Sequence, residues 1–298
     1  MVEKTSHRGF HVALCAFRRP EPKKGMVIFM NLYVVADVHG FLGAMKKALD
    51  RAGFFDDPEP HKLVICGDLL DRGKEAKELV DFLCELQKKG MLVFVNGNHD
   101  DLFIKALQEI AAGGVAAVSN SLFSYHYLNG TWDSLLQLAE MNESQAKRYP
   151  LVLVERVRSS PFYTDLLPSR VNYYETEKYI FCHGWIPVIN NGTNSSPKYL
   201  FDPDWRTADV AAWERATWLN GIELACKLGI RPPEKTVVCG HFHASYGHSK
   251  IDGNGPERGH GAIYTTFYGD GIIALDGCTV ISGIVNCEVI KDEELQGQ

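Results

Sequence analysis

Three turns of this sequence place candidate metal ligands directly after a run of apolar residues. The runs end in Asp37-Val38-His39-Gly40, in Gly67-Asp68, and in Asn96-Gly97-Asn98-His99-Asp100. Short apolar runs predict buried strands, and ligands of α/β proteins bind beyond the carboxyl ends of such strands. Carboxylate, imidazole and amide oxygen suit Mn, Fe, Zn or Mg, and none of these turns offers a thiolate. A strand-end aspartate can also cap a helix, but three such turns favour a shared metal site.

The second turn continues into Asp71-Arg72-Gly73, which adds a second acid and an arginine. A guanidinium binds phosphate oxygens through two parallel hydrogen bonds. Two later apolar runs end in His183-Gly184-Trp185 and in Gly240-His241-Phe242-His243. Imidazoles at these strand ends, together with the carboxylates, indicate metal chemistry on a phosphate.

Hydrophobic periodicity supplies the elements that must position these turns. Strands are predicted at 31–36, 63–66, 91–95, 171–174, 178–181 and 235–239, and helices at 41–53, 74–89, 100–112, 132–146 and 208–228. The alternation of the first three strands with helices requires parallel strands. Residues 115–170 are expected to form a cap-like insert, in which 151–157 is either strand or helix. Residues 262–289 are expected to add short strands of an antiparallel second sheet.

Composition limits the classes of function. The formal net charge of −6 does not favour binding of a nucleic-acid duplex, and no apolar stretch is long enough for a membrane span. The eight cysteines are scattered without a CxxC pair, which is typical of buried thiols in a cytoplasmic protein. Residues 1–29 are expected to be a disordered or weakly ordered tail before a single domain at 30–298. The sequence does not indicate an oligomeric state.

Five motifs together resemble the calcineurin-like metallophosphoesterases. They are Asp37-X-His39-Gly40, Gly67-Asp68-X-X-Asp71-Arg72-Gly73, Gly97-Asn98-His99-Asp100, His183-Gly184 and Gly240-His241-X-His243, in the order of that family. The Asp71-Arg72-Gly73 form resembles the phosphoprotein phosphatase branch with its bacterial and phage relatives. The resemblance implies a four-layer α/β/β/α sandwich and a site for two divalent metal ions.

The resemblance also implies a role for each matching residue. Asp37 and His39 would bind the first metal, Asp68 would bridge both metals, and Asn98, His183 and His241 would bind the second. His243 matches a further ligand of the broader superfamily, which the phosphatase branch often lacks.

The chemistry expected of this site is attack of a metal-bridging hydroxide on phosphorus. His99, beside Asp71 or Asp100, would protonate the leaving alkoxide as general acid. Arg72, Asn98 and His99 would contact the phosphate. Arg215 is a second candidate for phosphate binding, although a surface arginine on a helix is the simpler interpretation.

Two substrates fit these motifs. A phosphoserine or phosphothreonine protein is the first, and a nucleotide of the diadenosine tetraphosphate kind is the second. A non-catalytic metal-binding scaffold is a third alternative, but it would require neither Arg72 nor His99. Trp185 is expected either in the core or at the substrate cleft, and the other four tryptophans are expected in the core.

Overall fold

The computed structural model describes residues 28–193 and 195–294. Residues 1–27 of the predicted tail lie outside the described residues, and the first strand begins at Ile28. The strands are β1 (Ile28–Val35), β2 (His61–Cys66), β3 (Leu92–Val95), β4 (Tyr174–Glu175), β5 (Tyr179–Phe181), β6 (Val188–Asn190), β7 (Tyr199–Phe201), β8 (Thr236–Cys239), β9 (Phe267–Gly269), β10 (Ile272–Ala274) and β11 (Cys287–Glu294).

The helices follow in chain order. They are α1 (Leu42–Ala52), α2 (Ala76–Lys88), α3 (Asn98–Val118), α4 (Ser124–Leu128), α5 (Thr131–Ala139), α6 (Glu143–Arg148), α7 (Pro150–Arg158), α8 (Leu167–Ser169), α9 (Val210–Ala216), α10 (Gly221–Cys226), α11 (Ala244–Lys250) and α12 (Thr279–Ser282). Within the described ranges, no helix is both long and apolar enough to cross a lipid bilayer.

Two larger sheets form the centre of the fold. The first has the strand order β11-β1-β2-β3, in which β1, β2 and β3 are parallel as predicted. The second has the order β4-β5-β8-β10-β9, in which β5, β8 and β10 are parallel. Strands β6 and β7 form a separate antiparallel pair. The carboxyl ends of β1, β2, β3, β5 and β8 carry the five turns that the sequence singles out.

Three apolar clusters separate four layers. Val34, Val64 and Val238 belong to the cluster between the two sheets. Val35 and Ile65, the next residues along β1 and β2, point to the opposite face and pack against the helical layer that contains α1, α2 and α3. The second sheet packs its outer face against the layer of α9, α10 and α11. Because both faces of the parallel strands are covered, their sequences are continuously apolar. The predicted α/β/β/α sandwich is confirmed.

The cap-like insert at 115–170 is helical throughout its defined elements, and the segment at 151–157 lies in helix α7. Its buried residues, such as Leu135, Leu153 and Phe162, belong to the same apolar cluster as α2 and α3. The insert therefore thickens the first helical layer. The Gly113-Gly114 pair, which follows the predicted end of the third helix, marks a kink within α3 at Gly114, with φ 53° and ψ −130°.

Two helices predicted as continuous are each broken in two. The segment predicted at 208–228 forms α9 and α10, and the Asn220 side chain accepts a hydrogen bond from the Glu223 amide to begin α10. The segment predicted at 132–146 forms α5 and α6, and Asn142 begins α6 in the same way. Apolar periodicity continues across both breaks, but each capping asparagine stabilises a new helix start.

The prediction for 262–289 is wrong in part. Strand β9 is antiparallel to β10, but β10 is parallel to β8. Strand β11 leaves this sheet and pairs antiparallel with β1 in the first sheet. The alternation of apolar residues predicts a strand but does not determine which sheet it joins, since the edge strand of either sheet can form hydrogen bonds with its backbone.

Candidate metal and phosphate site

Strained backbone marks the turns of the site. Eight non-glycine residues in the described part of the chain have positive φ, and six of them are predicted site residues. These six are Asp37, His39, Asp68, Asp71, Arg72 and His241. Left-handed backbone is unfavourable for such residues and clusters at functional sites, where the surrounding fold holds it in place.

Asp68 lies between two imidazoles from different strands. Its Oδ2 is 3.6 Å from His39 Nε2, and its Oδ1 is 3.2 Å from His183 Nε2. Two groups of potential ligands consequently share this carboxylate, and within each group the donor atoms lie within 4.8 Å of one another. The groups are His39, Asp68 and His99, and Asp68, His183 and His241. One buried carboxylate thus faces two sets of nitrogen donors.

Backbone carbonyls orient two of these rings. His39 Nδ1 is 2.9 Å from the Leu70 carbonyl, and His183 Nδ1 is 2.8 Å from the Cys66 carbonyl. Each Nδ1 therefore donates its proton to a carbonyl, and each Nε2 points toward Asp68. Histidine ligands of metals commonly have this arrangement, because the second hydrogen bond fixes the ring and its tautomer.

The protonation of the rings differs. Burial lowers the pKa of His39 to about 3 and that of His241 to about 4, so both rings are neutral near pH 7. Burial also opposes charge on His183, but the Asp68 carboxylate outweighs it and raises the pKa of His183 to about 10. Burial likewise opposes ionisation of Asp68, yet the charge of His183 and its hydrogen bond to Asp68 hold the pKa of Asp68 well below the usual value. A divalent cation requires neutral imidazoles and an ionised carboxylate, so His39, His241 and Asp68 are in the required form and His183 must first lose a proton.

Asp37 lies at the edge of this donor set. Its Oδ2 accepts a hydrogen bond of 2.9 Å from the His241 amide, which links the ends of β1 and β8. A Cβ at Gly240 would overlap the same oxygen, so glycine there makes room for the carboxylate. Burial and nearby Asp276 raise the pKa of Asp37 well above its usual value. A cation at this edge would relieve the repulsion between the two acids.

The other predicted ligands are placed differently. Asn98 contacts the second donor group, because its Oδ1 is 2.8 Å from His183 Nε2. His243 lies outside both groups, and its Nε2 is 3.1 Å from Glu257 Oε1. Arg215 is exposed on α9, and within the described ranges its side chain makes none of the contacts that join the other site residues. The roles of all three remain predictions.

Arg72 contacts two imidazoles of the site. Its Nη1 is 2.9 Å from His39 Nε2, and its Nη2 is 2.9 Å from His99 Nε2. The guanidinium is therefore held over the donor set, where a phosphate bound by the same residues would meet its two N–H groups.

His99 forms a dyad with Asp71. The His99 Nδ1 to Asp71 Oδ2 distance is 2.7 Å, and the Thr131 hydroxyl donates to the same oxygen at 2.7 Å. The Ser134 hydroxyl accepts from the Asp71 amide at 2.8 Å. Thr131 and Ser134 belong to α5 of the insert, so the insert fixes the position of Asp71 in this dyad. Asp71 thus orients the ring whose Nε2 faces Arg72.

Asp100 has a structural position. Its Oδ2 accepts hydrogen bonds from the amides of Gly97, at 2.8 Å, and Asp68, at 3.2 Å. It therefore ties the turn after β3 to the turn after β2. The catalytic role predicted for Asp100 remains a prediction, and its contacts are those of a positioning residue for Asp68.

The motifs that meet at this site match a known family over most of the chain. The family model of calcineurin-like phosphoesterases matches residues 30–245. The chain belongs to the calcineurin-like phosphoesterase family. Membership of this family, together with the two donor groups around Asp68, indicates metal-dependent hydrolysis of phosphoesters. The match does not distinguish between the branches of the family.

Several relatives are similar over part of the chain. A symmetrical bis(5'-nucleosyl)-tetraphosphatase of Pseudomonas fluorescens is 41% identical over 71 residues, which are 24% of this chain and 24% of that protein. An asymmetrical bis(5'-nucleosyl)-tetraphosphatase of Oceanobacillus iheyensis is 23% identical over 164 residues, 53% of this chain and 57% of that protein. The chain thus spans from about a quarter to just over half of the length of these relatives.

Solved structures of phosphatases are similar at low sequence identity. A cold-active protein tyrosine phosphatase of a Shewanella species has a TM-score of 0.38 and 14% identity, covering 85% of this chain and 72% of that one. A protein serine/threonine phosphatase of Saccharomyces cerevisiae has a TM-score of 0.34 and 13% identity, covering 71% of this chain and 61% of that one. Likeness at this level does not identify a substrate.

Metal binding should release protons. His183 keeps its Nε2 proton up to a pKa of about 10 and must lose it to bind a cation. The apparent association constant for Mn²⁺ should therefore rise about tenfold per pH unit between about pH 6 and pH 9, with at least about one proton released per chain. Calorimetric titrations in two buffers with different ionisation enthalpies measure this release.

The His183→Asn variant should release about one proton fewer. His61→Asn, which changes a histidine at the start of β2, is the matched control and should behave as the wild type. A metal affinity that does not change over this pH range would contradict the assignment of His183 as a ligand.

Proposed function

We propose that this protein is a metal-dependent phosphoester hydrolase with two divalent cations. Asp37, His39 and Asp68 would hold the first cation, and Asp68, Asn98, His183 and His241 would hold the second. The observation that carries the proposal is the position of Asp68, whose two oxygens face His39 and His183 at 3.6 Å and 3.2 Å. A carboxylate shared in this way is suited to bridge two cations. Mn, Fe, Zn and Mg all match these donors.

When bound, the cations would neutralise phosphate charge and lower the pKa of water toward neutrality. The protein's own residues would position the substrate. Arg72 would donate two hydrogen bonds to phosphate oxygens, and Asn98 would add an amide from the first turn of α3. Arg72 contacts His39 Nε2 and His99 Nε2 at 2.9 Å, so a cation on His39 and a proton on His99 would release the guanidinium to bind the phosphate.

His99 would supply the proton to the leaving group. Asp71 accepts from His99 Nδ1 at 2.7 Å, which leaves Nε2 to carry the proton toward the pocket. An alkoxide is a poor leaving group, so a positioned acid is worth about 10²–10⁴-fold in rate. The dyad therefore favours an enzyme over a metal-binding scaffold, since a scaffold has no use for a proton donor.

We propose a dinucleoside polyphosphate as the first substrate to test. The Pseudomonas and Oceanobacillus relatives both carry this activity in their names, and the first of them is 41% identical to this chain over the matched segment. A phosphoprotein is the second candidate, because the Asp71-Arg72-Gly73 form resembles the phosphoprotein phosphatase branch. Both substrates are attacked at phosphorus, but they differ in the leaving group, which is a nucleotide phosphate in the first and a serine or threonine alkoxide in the second.

A substrate panel with the Mn²⁺-loaded protein separates these possibilities. The panel contains diadenosine tetraphosphate, phosphoserine and phosphothreonine peptides, and β-glycerophosphate, with released phosphate and nucleotides measured separately. We expect diadenosine tetraphosphate to have the highest kcat/KM. Preference for the phosphopeptides would support the second candidate, and no turnover of any member with metal bound would contradict the hydrolase proposal.

A further inference from the structure

Trp218 is an exposed aromatic residue at the edge of the candidate metal site. It lies in the short connection between α9 and α10, and 49% of its surface is exposed. The other four tryptophans are buried, including Trp185, which belongs to the core of the second helical layer. The Trp218 ring lies 5.9 Å from the His241 ring, at an interplanar angle of 82°. The largest exposed aromatic ring of the described ranges is therefore next to a predicted metal ligand.

The backbone around Trp218 is tied to the two turns that carry the second donor group. In addition to the ring contact, the Trp218 backbone lies next to the His241 imidazole. The Trp185 amide donates to the Ala216 carbonyl at 3.0 Å, which ties the turn after β5 to the end of α9. The carbonyls of Ala216 and Thr217 approach Gly184 so closely that a Cβ there would lie 2.6 Å from each. Trp218 is thus held in place relative to His183 and His241.

Phe242 is a second aromatic residue next to His241. Its ring lies 5.9 Å from His241 at an interplanar angle of 66°, and it is partly exposed. Aromatic side chains therefore border the imidazole that would face the substrate phosphate. A rigid indole gives large contact area at low entropic cost, and base stacking on aromatic rings is favourable for every base.

We propose that Trp218 is a specificity-determining residue on which the base of a nucleotide substrate stacks while its phosphate lies at the metal site. The inference rests on the proposed function, because it requires a phosphate held by the donor set. The base of a 5'-nucleotide is one sugar away from its phosphate, so a ring bordering His241 is placed to meet it. Trp218 would act on binding and leave the chemistry at phosphorus to the other residues.

Kinetics with two substrates test the proposal. Trp218→Ala should lower the ratio of kcat/KM for diadenosine tetraphosphate to kcat/KM for β-glycerophosphate, which has no ring, by about 10–100-fold. Trp218→Phe should keep most of this ratio because it keeps an aromatic face. Tyr149→Ala is the matched control, since Tyr149 is also 49% exposed but belongs to the insert. An unchanged ratio in Trp218→Ala would overturn the proposal.

Fluorescence gives a readout that does not depend on turnover. Adenosine monophosphate should quench the emission of the Mn²⁺-loaded protein, inorganic phosphate should not, and Trp218→Phe should abolish the quenching. Quenching that persists in Trp218→Phe would overturn the assignment to a base. The assignment would also be wrong if Trp218→Ala lowered kcat/KM, relative to β-glycerophosphate, for a phosphotyrosine peptide and not for the nucleotide. If the wild type hydrolyses β-glycerophosphate without quenching by the nucleotide, this inference fails and the hydrolase stands. If nothing is hydrolysed but quenching occurs, the proposed function fails and Trp218 still binds the base.

Discussion

Replacing Asp68 by asparagine should remove metal and activity together. The Asp68→Asn substitution would keep the volume of the side chain but lose the charge that faces His39 and His183. Both cations would then lack their shared anionic ligand, and we expect fewer than two metal ions per chain with kcat/KM lowered by at least about 10³-fold. Metal content by mass spectrometry and steady-state rates with diadenosine tetraphosphate and β-glycerophosphate measure the two effects.

The matched control for this variant is Asp81→Asn. Asp81 is an exposed residue of α2 that pairs with Lys77 at 3.5 Å, and its replacement should leave metal content and rate unchanged. Loss of the Asp68 charge also leaves the charged, buried His183 without its partner, which destabilises the fold. Thermal melting of the metal-free proteins therefore separates loss of a metal ligand from loss of the fold. Two metal ions bound to a folded Asp68→Asn protein would show that Asp68 does not bridge them.

The strand-end residues of the site can be predicted because their signal is local. A buried parallel strand is an apolar run, and its carboxyl end is the next position along the sequence. The ends of β1, β2 and β5 are therefore evident from the sequence, and the structure brings His39, Asp68 and His183 together around one point. Asp276, which the sequence prediction missed, carries the same signal, because it follows the apolar residues of β10. It lies close enough to influence Asp37, and burial together with the Asp68 charge raises its own pKa to about 7.

Other parts of the site have no local signal. Thr131 and Ser134 meet Asp71 from 60 and 63 residues away, and nothing in the sequence of the insert distinguishes them from other helix residues. The position of Trp218 escapes prediction for a different reason. Apolar periodicity runs through 208–228 and predicts one continuous helix, whereas Trp218 lies in the connection between α9 and α10. The break before Asn220 depends on a cap and on packing against Gly184, which periodicity does not report.

Replacing His99 by asparagine should lower turnover and preserve metal content. The His99→Asn side chain would occupy the same place without an acidic proton to donate, so kcat for the alkyl ester β-glycerophosphate should fall by about 10²–10³-fold. The fall should be smaller for p-nitrophenyl phosphate, because its leaving group is acidic and needs little protonation. Rates with both esters and the metal content of each protein measure the difference.

The two esters are needed because His99 has two possible roles. Its ring lies within one of the two donor groups, so a role as a metal ligand competes with the role of general acid. If His99 is a metal ligand, His99→Asn would lose a metal ion and lower the rates with both esters equally. If His99 is the general acid, His99→Asn would keep both ions and lower mainly the rate with the alkyl ester. Asp71→Asn should also keep both ions and lower mainly the rate with the alkyl ester, but by a smaller factor than His99→Asn, because Asp71 only orients the His99 ring. His126→Asn, in which a buried imidazole 3.3 Å from Glu109 is changed, controls for the loss of a buried histidine and should keep both rates.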